Sequence, residues 1–250
     1  MLCTDIMPTW NEFAWAAFLY GYGDYDSVYQ NLMNQTQLLS LLRTNPNQLE
    51  IDEIKDQVIK GFLNRWKCHI HNNTQSANTI RTTLKELSPY LQAIDKLKIE
   101  DVNFSKNVNV NKTSMTIGQV IEYCYTKVRN IGYNFGPTAT SKLLHIIQPK
   151  LFVMWDNEIL KHYHVLDKHV FDKGIGYQVY LELMKKMSNQ IITNFQDATL
   201  NPAPKANQNP ATYLSEQMGY KPHKPLAKYL DEFNFTNITN KVKLPPHWHP

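Results

Sequence analysis

Cysteine is scarce in this chain. Among 250 residues the thiols are Cys3, Cys68 and Cys124, too far apart to form a Cys-x-x-Cys pair. This excludes a disulfide framework, a zinc ribbon and an iron–sulfur cluster, and it suits a reducing cytoplasm. Long apolar runs are missing too. The nearest candidate, "FAWAAFLY" at 13–20, falls far short of a bilayer span. It follows Asp5 and Glu12 rather than a basic region, so it reads as neither an anchor nor a signal peptide. There is no block of like charge and no internal repeat.

Metal-binding spacing is likewise absent. In "KHYHVLDKH" (161–169), His162 and His164 stand at i and i+2, which point apart on a helix, and Asp167 with His169 joins them only in an irregular loop. A helical zinc pair needs i and i+4. No metal and no cofactor are expected. The triplets at Asn72, Asn103 and Asn111 match a glycosylation acceptor, but in so Asn-rich a chain they arise by chance.

A hydrophobic fraction of 42% and a mean hydropathy of −0.45 describe a soluble globular protein. It is long enough for one large domain or two small ones without covalent staples. The formal charge of +4 permits a polyanionic partner without demanding one. Aromatics make up 12% of the chain and fill cores before they stack on ligands.

Apolar periodicity predicts an all-α chain of about ten helices. Candidates are "TWNEFAWAAFLYGY", "DYDSVYQNLMNQTQLLSLLR", and 51–66 with Ile51, Ile54, Val58, Phe62 and Trp66 on one face. The stretch 74–97 reads as one or two helices punctuated by Ser88-Pro89. The polar segment 101–113 reads as a connecting loop, with at most a short extended piece, and 197–210 as another. A last helix covers 224–234, and 236–250 reads as a mobile tail.

Chemistry concentrates in "NFGPTATSKLLHIIQPKLFVMWDNEI", 134–159. Gly136-Pro137 breaks the chain, and Thr138, Thr140 and Ser141 are all good N-cap types for a helix beginning within "TATSK". Free amides at such a start can hold a phosphate. A P-loop is excluded, because the Gly-x-x-x-x-Gly-Lys-Ser/Thr pattern is not met. Lys142 heads the apolar "KLLHII", where it either faces solvent, binds phosphate or serves as a desolvated nucleophile. Asp156 follows the apolar "LFVMW" and opens the next helix, as an N-cap or as a carboxylate at the edge of an apolar pocket.

The order of hairpin turn, lysine-bearing helix, Pro-stopped loop and aspartate resembles the helix-hairpin-helix DNA glycosylase superfamily, over residues 130–165. Gly-Pro-Thr-Ala-Thr-Ser stands in place of the family's Gly-x-Gly. The resemblance implies a two-lobed helical domain with a cleft between lobes. Residues 112–196 would form the hairpin and catalytic lobe, and 1–100 with 211–235 the second. It implies a monomer acting on double-stranded DNA that carries a damaged or modified base, in base-excision repair or in defence against phage. Asp156 would be the catalytic acid and Lys142 the Schiff-base position. Gly136, Thr138, Thr140 and Ser141 would grip a DNA phosphate. A flipped base needs an aromatic pocket, for which Trp155 is the first candidate wall, ahead of Trp10 and Trp66. The alternative is a non-catalytic helical module that binds DNA or a protein, in which Asp156 is only a cap.

Overall fold

A computed structural model describes residues 7–163, 175–200 and 202–242. The chain is mostly helical. α1 (Trp10–Gly21) opens with a capping box: the Thr9 hydroxyl accepts from the Glu12 amide, and the Glu12 carboxylate accepts from the Thr9 amide at 2.7 Å. α2 (Asp24–Met33) and α3 (Thr36–Thr44) follow. α4 starts as Ile51–Glu53 and runs on as a π-helix over Ile54–Asn64, burying Ile54, Val58, Ile59, Phe62 and Leu63.

α5 (Thr74–Ala93) passes through Pro89 without a break. Proline removes one backbone donor and disfavours a helix interior. Here buried Leu84, Leu87 and Leu91 fix both sides of it, and the neighbouring Ser88 hydroxyl ties the helix to the Thr44 carbonyl at 3.2 Å.

The all-α expectation needs one correction. β1 (Asn107–Val110) and β2 (Thr113–Thr116) pair antiparallel, Asn107 opposite Thr116 and Val110 opposite Thr113. The turn residues Asn111 and Lys112 have φ of +49° and +67°. Two successive left-handed residues are what a tight hairpin turn requires, because its twist then matches the strands. The period-two alternation of "NVNV" was therefore a strand signal within a segment expected as a loop.

α6 (Ile117–Arg129), α7 (Pro137–Ile147), α8 (Asn157–His162), α9 (Ile175–Asp197), α10 (Pro210–Gln217) and α11 (Leu226–Asn234) follow. Every residue of α11 is buried, and the helix packs against α1, α9 and α10. Its axis continues as a π-helical turn over Phe235–Thr239, where a mobile tail was expected. Thr236 there donates to the Ala16 carbonyl at 3.2 Å, which anchors the segment to α1. Buried apolar side chains from Trp10 to Phe233 form one continuous cluster. No helix among the described residues is long and apolar enough to cross a membrane.

Candidate active site

The segment leading to Asp156 is extended backbone threaded through the core, where unpaired carbonyls are costly. Three of its four carbonyls meet a buried donor of their own, and the fourth lies near a hydroxyl whose single proton it shares with the Thr138 carbonyl. His145 Nδ1 serves Phe152, the Tyr177 hydroxyl serves Val153 at 2.9 Å, the Tyr180 hydroxyl serves Met154 at 3.0 Å, and the Ser141 hydroxyl lies 3.2 Å from the Trp155 carbonyl. α7 and α9 thus fix the strand that carries the aspartate. With a carbonyl as its partner, His145 Nδ1 must carry the proton. Nε2 is then the acceptor for the Tyr29 hydroxyl at 3.1 Å. Burial pulls the His145 imidazole down to about 3, so the ring is neutral.

Asp156 is the N-cap of α8, and its Oδ1 accepts from the amides of Glu158 at 2.9 Å and Ile159 at 2.8 Å. Its Oδ2 accepts from the Thr239 hydroxyl at 2.7 Å. The π-helical turn after α11 therefore reaches the candidate acid directly.

The α6–α7 turn differs from expectation. Gly136 is the N-cap of α7 and Pro137 its first residue, so Thr138, Thr140 and Ser141 lie inside the helix rather than capping it. The reason is proline's preset φ and missing N–H, which suit a first helical position. Thr140 and Ser141 are fully buried, and their hydroxyls return to the Gly136 and Thr138 carbonyls at 2.9 and 3.0 Å. Expected at a DNA phosphate, both side chains are turned inward, and only Gly136 and Thr138 stay partly exposed. Gly132, Tyr133 and Asn134 are all left-handed, at φ of +82°, +52° and +70°. The Asn134 amide bridges to the His69 carbonyl at 3.2 Å, beside Lys67 and His69, which are themselves left-handed. Non-glycine residues in that region carry strain and tend to gather near functional sites.

Lys142 stands in the second turn of α7 rather than at its head. Its ammonium donates to the Trp66 carbonyl at 2.9 Å and sits 5.2 Å from the Trp66 ring centroid. Of the three candidate tryptophans, Trp66 is the one Lys142 touches. Trp155, expected as the pocket wall, is 1% exposed and packs on Tyr125, Tyr177 and Tyr180, while its indole N–H donates to the Pro137 carbonyl. That is a core position. Trp10 packs elsewhere, on Phe195 and Tyr213.

Behind Lys142 and Asp156 lies a centre that sequence reasoning missed. Lys228 is fully buried and bonds Asp231 at 2.7 Å, with Glu232 at 3.4 Å. The rings of Tyr20, Trp66 and Tyr29 face its ammonium at 4.1, 4.9 and 5.1 Å. Lys224, also buried, bonds Glu232 at 2.8 Å and Asp26, and lies over the Tyr220 ring. Burial opposes the charge on Lys228, but Asp231, Tyr20 and Glu232 outweigh it and hold the ammonium. Burial pushes the Asp231 and Glu232 carboxyls up against the pull of the lysines. Three carboxylates here face two ammoniums, and Glu232 Oε2 has no hydrogen-bond donor among the described residues. Lys142 and Lys228 both lie near the Trp66 ring, at 5.2 and 4.9 Å from its centroid, and Asp156 meets the turn that follows α11 through Thr239.

In "HKPLAKYLDEFN" the signal was Lys228, Asp231 and Glu232 at i, i+3 and i+4, a spacing that places these three on one face of α11, with Lys224 just before its start. The same pattern describes a solvated face, and only the all-buried packing of α11 distinguishes them. Among the described residues no group of three or more His, Cys, Asp or Glu could hold a metal ion. Of the histidine-rich stretch, His164, Asp167 and His169 lie outside the described residues. Neither a family model, a curated protein nor a solved structure matches the chain.

Proposed function

We propose that the chain is a DNA glycosylase that removes a damaged or modified base. The observation that carries this reading is that Lys142 rests on Trp66, whose ring also faces the buried Lys228, while Asp156 is held by Thr239 from the turn that follows the same helix. The hairpin lobe, 112–196, and the second lobe, 1–100 with 211–235, would flank the DNA. The amides of Thr138 and Ala139 at the start of α7 would meet a phosphate.

Breaking an N-glycosidic bond leaves its electron pair on the departing base and positive charge on the sugar. A fixed carboxylate in a water-poor site stabilises that charge without reorganising. In this reading Thr239 releases Oδ2 of Asp156 when the nucleotide enters. A water then adds to the sugar carbon and loses its proton, and the base leaves protonated. Trp66 is buried against Phe62, Tyr25 and Tyr29, so these rings would have to part before a flipped base could stack on it.

The test is abasic-site release from DNAs carrying oxidised, alkylated, deaminated and hypermodified bases, read by alkaline cleavage. Wild type should release a base from one class, and Asp156→Asn should release none while still binding DNA. Borohydride should trap a covalent complex that Lys142→Ala cannot form if the lysine attacks the sugar.

One observation favours the binding-module reading. Both oxygens of Asp156 already have donors, as a purely structural cap would. Retained DNA binding with no release from any substrate would select that reading.

A further inference from the structure

A cavity of about 500 Å³ opens on the far side of Tyr29 and Lys224, which form part of its lining. Neither Lys142 nor Asp156 lines it. Its apolar wall comes from Met33 of α2, Leu39 of α3, Ile146 and Ile147 of α7, and Leu226 of α11. A volume of this size lies within the range of about 300–1,000 Å³ typical of small-molecule sites.

Two features mark what would occupy it. Three helices begin on the cavity: α3 at Thr36, α10 at Asn209-Pro210, and α11 at Pro225-Leu226. α3 and α11 have no side-chain cap, so their first amides remain free to meet a ligand. Helix starts carry partial positive charge and favour anions. Arg43, Lys98 and Lys150 also line the cavity, joined by His223. Arg43 is bound to Asp95 at 2.9 Å and Lys98 stands 3.9 Å from Asp101, while Lys150 makes no ion pair among the described residues. Glu100 is the acid in the lining, and burial pushes its carboxyl up despite Lys98 and Lys150 nearby.

We propose that this cavity binds a nucleoside monophosphate. The phosphate would sit at the converging helix starts, between Lys98 and Lys150. The base would lie on Ile146, Ile147 and Leu226, with the hydroxyls of Thr36, Ser40 and Thr212 available to its polar edge and the ribose. The proposal stands apart from the excision reading, since it uses neither Lys142 nor Asp156.

Isothermal titration of the full chain with 5′-nucleoside monophosphates tests it, beside the matching nucleosides and inorganic phosphate. At least one monophosphate should bind, at least tenfold more tightly than its nucleoside and than phosphate alone. Lys98→Glu with Lys150→Glu, at exposed positions, should weaken that binding at least tenfold with the circular dichroism unchanged. Leu39→Trp, which fills the apolar wall, should abolish it. Absence of binding by every monophosphate would overturn the proposal. So would affinity unchanged in the charge-reversed variant, or phosphate alone binding as tightly as the nucleotide.

Discussion

Lysine meets carboxylate in two settings in this molecule, at nearly the same distances. On the surface, Lys161 pairs with Glu158 at 2.6 Å and Lys205 with Glu216 at 3.0 Å. At the centre, Lys228 pairs with Asp231 at 2.7 Å and Lys224 with Glu232 at 2.8 Å, and all but Asp231 have fully buried side chains. Distance is therefore not what separates them. In water each surface ion keeps most of its hydration and the pair contributes little. In the core each ion has lost its hydration, and the attraction of a partner does little more than offset that loss. A buried pair is costly to break yet poor evidence of stabilisation. Apolar residues of similar volume often replace such pairs without loss of stability, so stability alone does not account for the charges at this centre.

The largest expected effect comes from breaking the central pair. Lys228→Met leaves Asp231 without its ammonium and should cost about 3–5 kcal/mol in chemical denaturation. Lys228→Met combined with Asp231→Leu removes both charges and should recover most of that loss. If the double variant is no more stable than the single, the two residues are not coupled and the contrast with the surface pairs fails.

A second effect comes from His145, buried against the same cluster through Tyr29. Its imidazole is held near 3, below the ordinary histidine value of about 6.5. Below that ordinary value the unfolded chain binds a proton that the folded chain refuses. Stability from this group is therefore full above about pH 6.5 and falls by about 1.4 kcal/mol per pH unit as the pH drops toward 3. Asp231 and Glu232, with raised carboxyls, act in the opposite sense: their contribution grows as the pH falls and is lost as it rises through their folded values. Comparing wild type with His145→Gln from pH 7 to 4 isolates the histidine. The variant should show the shallower loss, and parallel curves would mean that the ring is protonated in the folded state.

The helical class was legible because helical periodicity depends on burial of one face, which sequence records directly. Ile54, Val58 and Phe62 were placed on one buried face and lie there. The hairpin at 107–116 was read only as a loop with a short extended piece, because its alternation is brief and its second strand, "TSMT", carries one apolar residue, while Asn111 tolerates the left-handed turn. The surroundings of the candidate residues were less legible. Sequence could name Lys142, which stands inside α7, and Asp156, which caps α8. It could not show that Trp66, 76 positions before Lys142, supplies the carbonyl that holds the ammonium. Nor could it show α11 as the central helix, because charges four apart look the same on a wet face as in a core. Long-range packing settles such cases, and one sequence carries no record of it.

The smallest effect should come from the other side of the comparison. Lys205 donates to both carboxylate oxygens of Glu216 at 3.0 Å, and Gln208 adds a third bond at 2.9 Å, so this surface pair has good geometry. The lysine pulls the Glu216 carboxyl down, a shift expected from a direct hydrogen bond. The lysine side chain is nevertheless 74% exposed, where water and salt compete for it. Lys205→Ala should leave the melting midpoint unmoved within error in 0.15 M salt, a typical physiological strength with a screening length of about 8 Å. A clear drop at that salt, persisting at about 1 M, where the screening length shortens to about 3 Å, would show that geometry rather than burial governs these pairs. The buried cluster would then need no function to explain it.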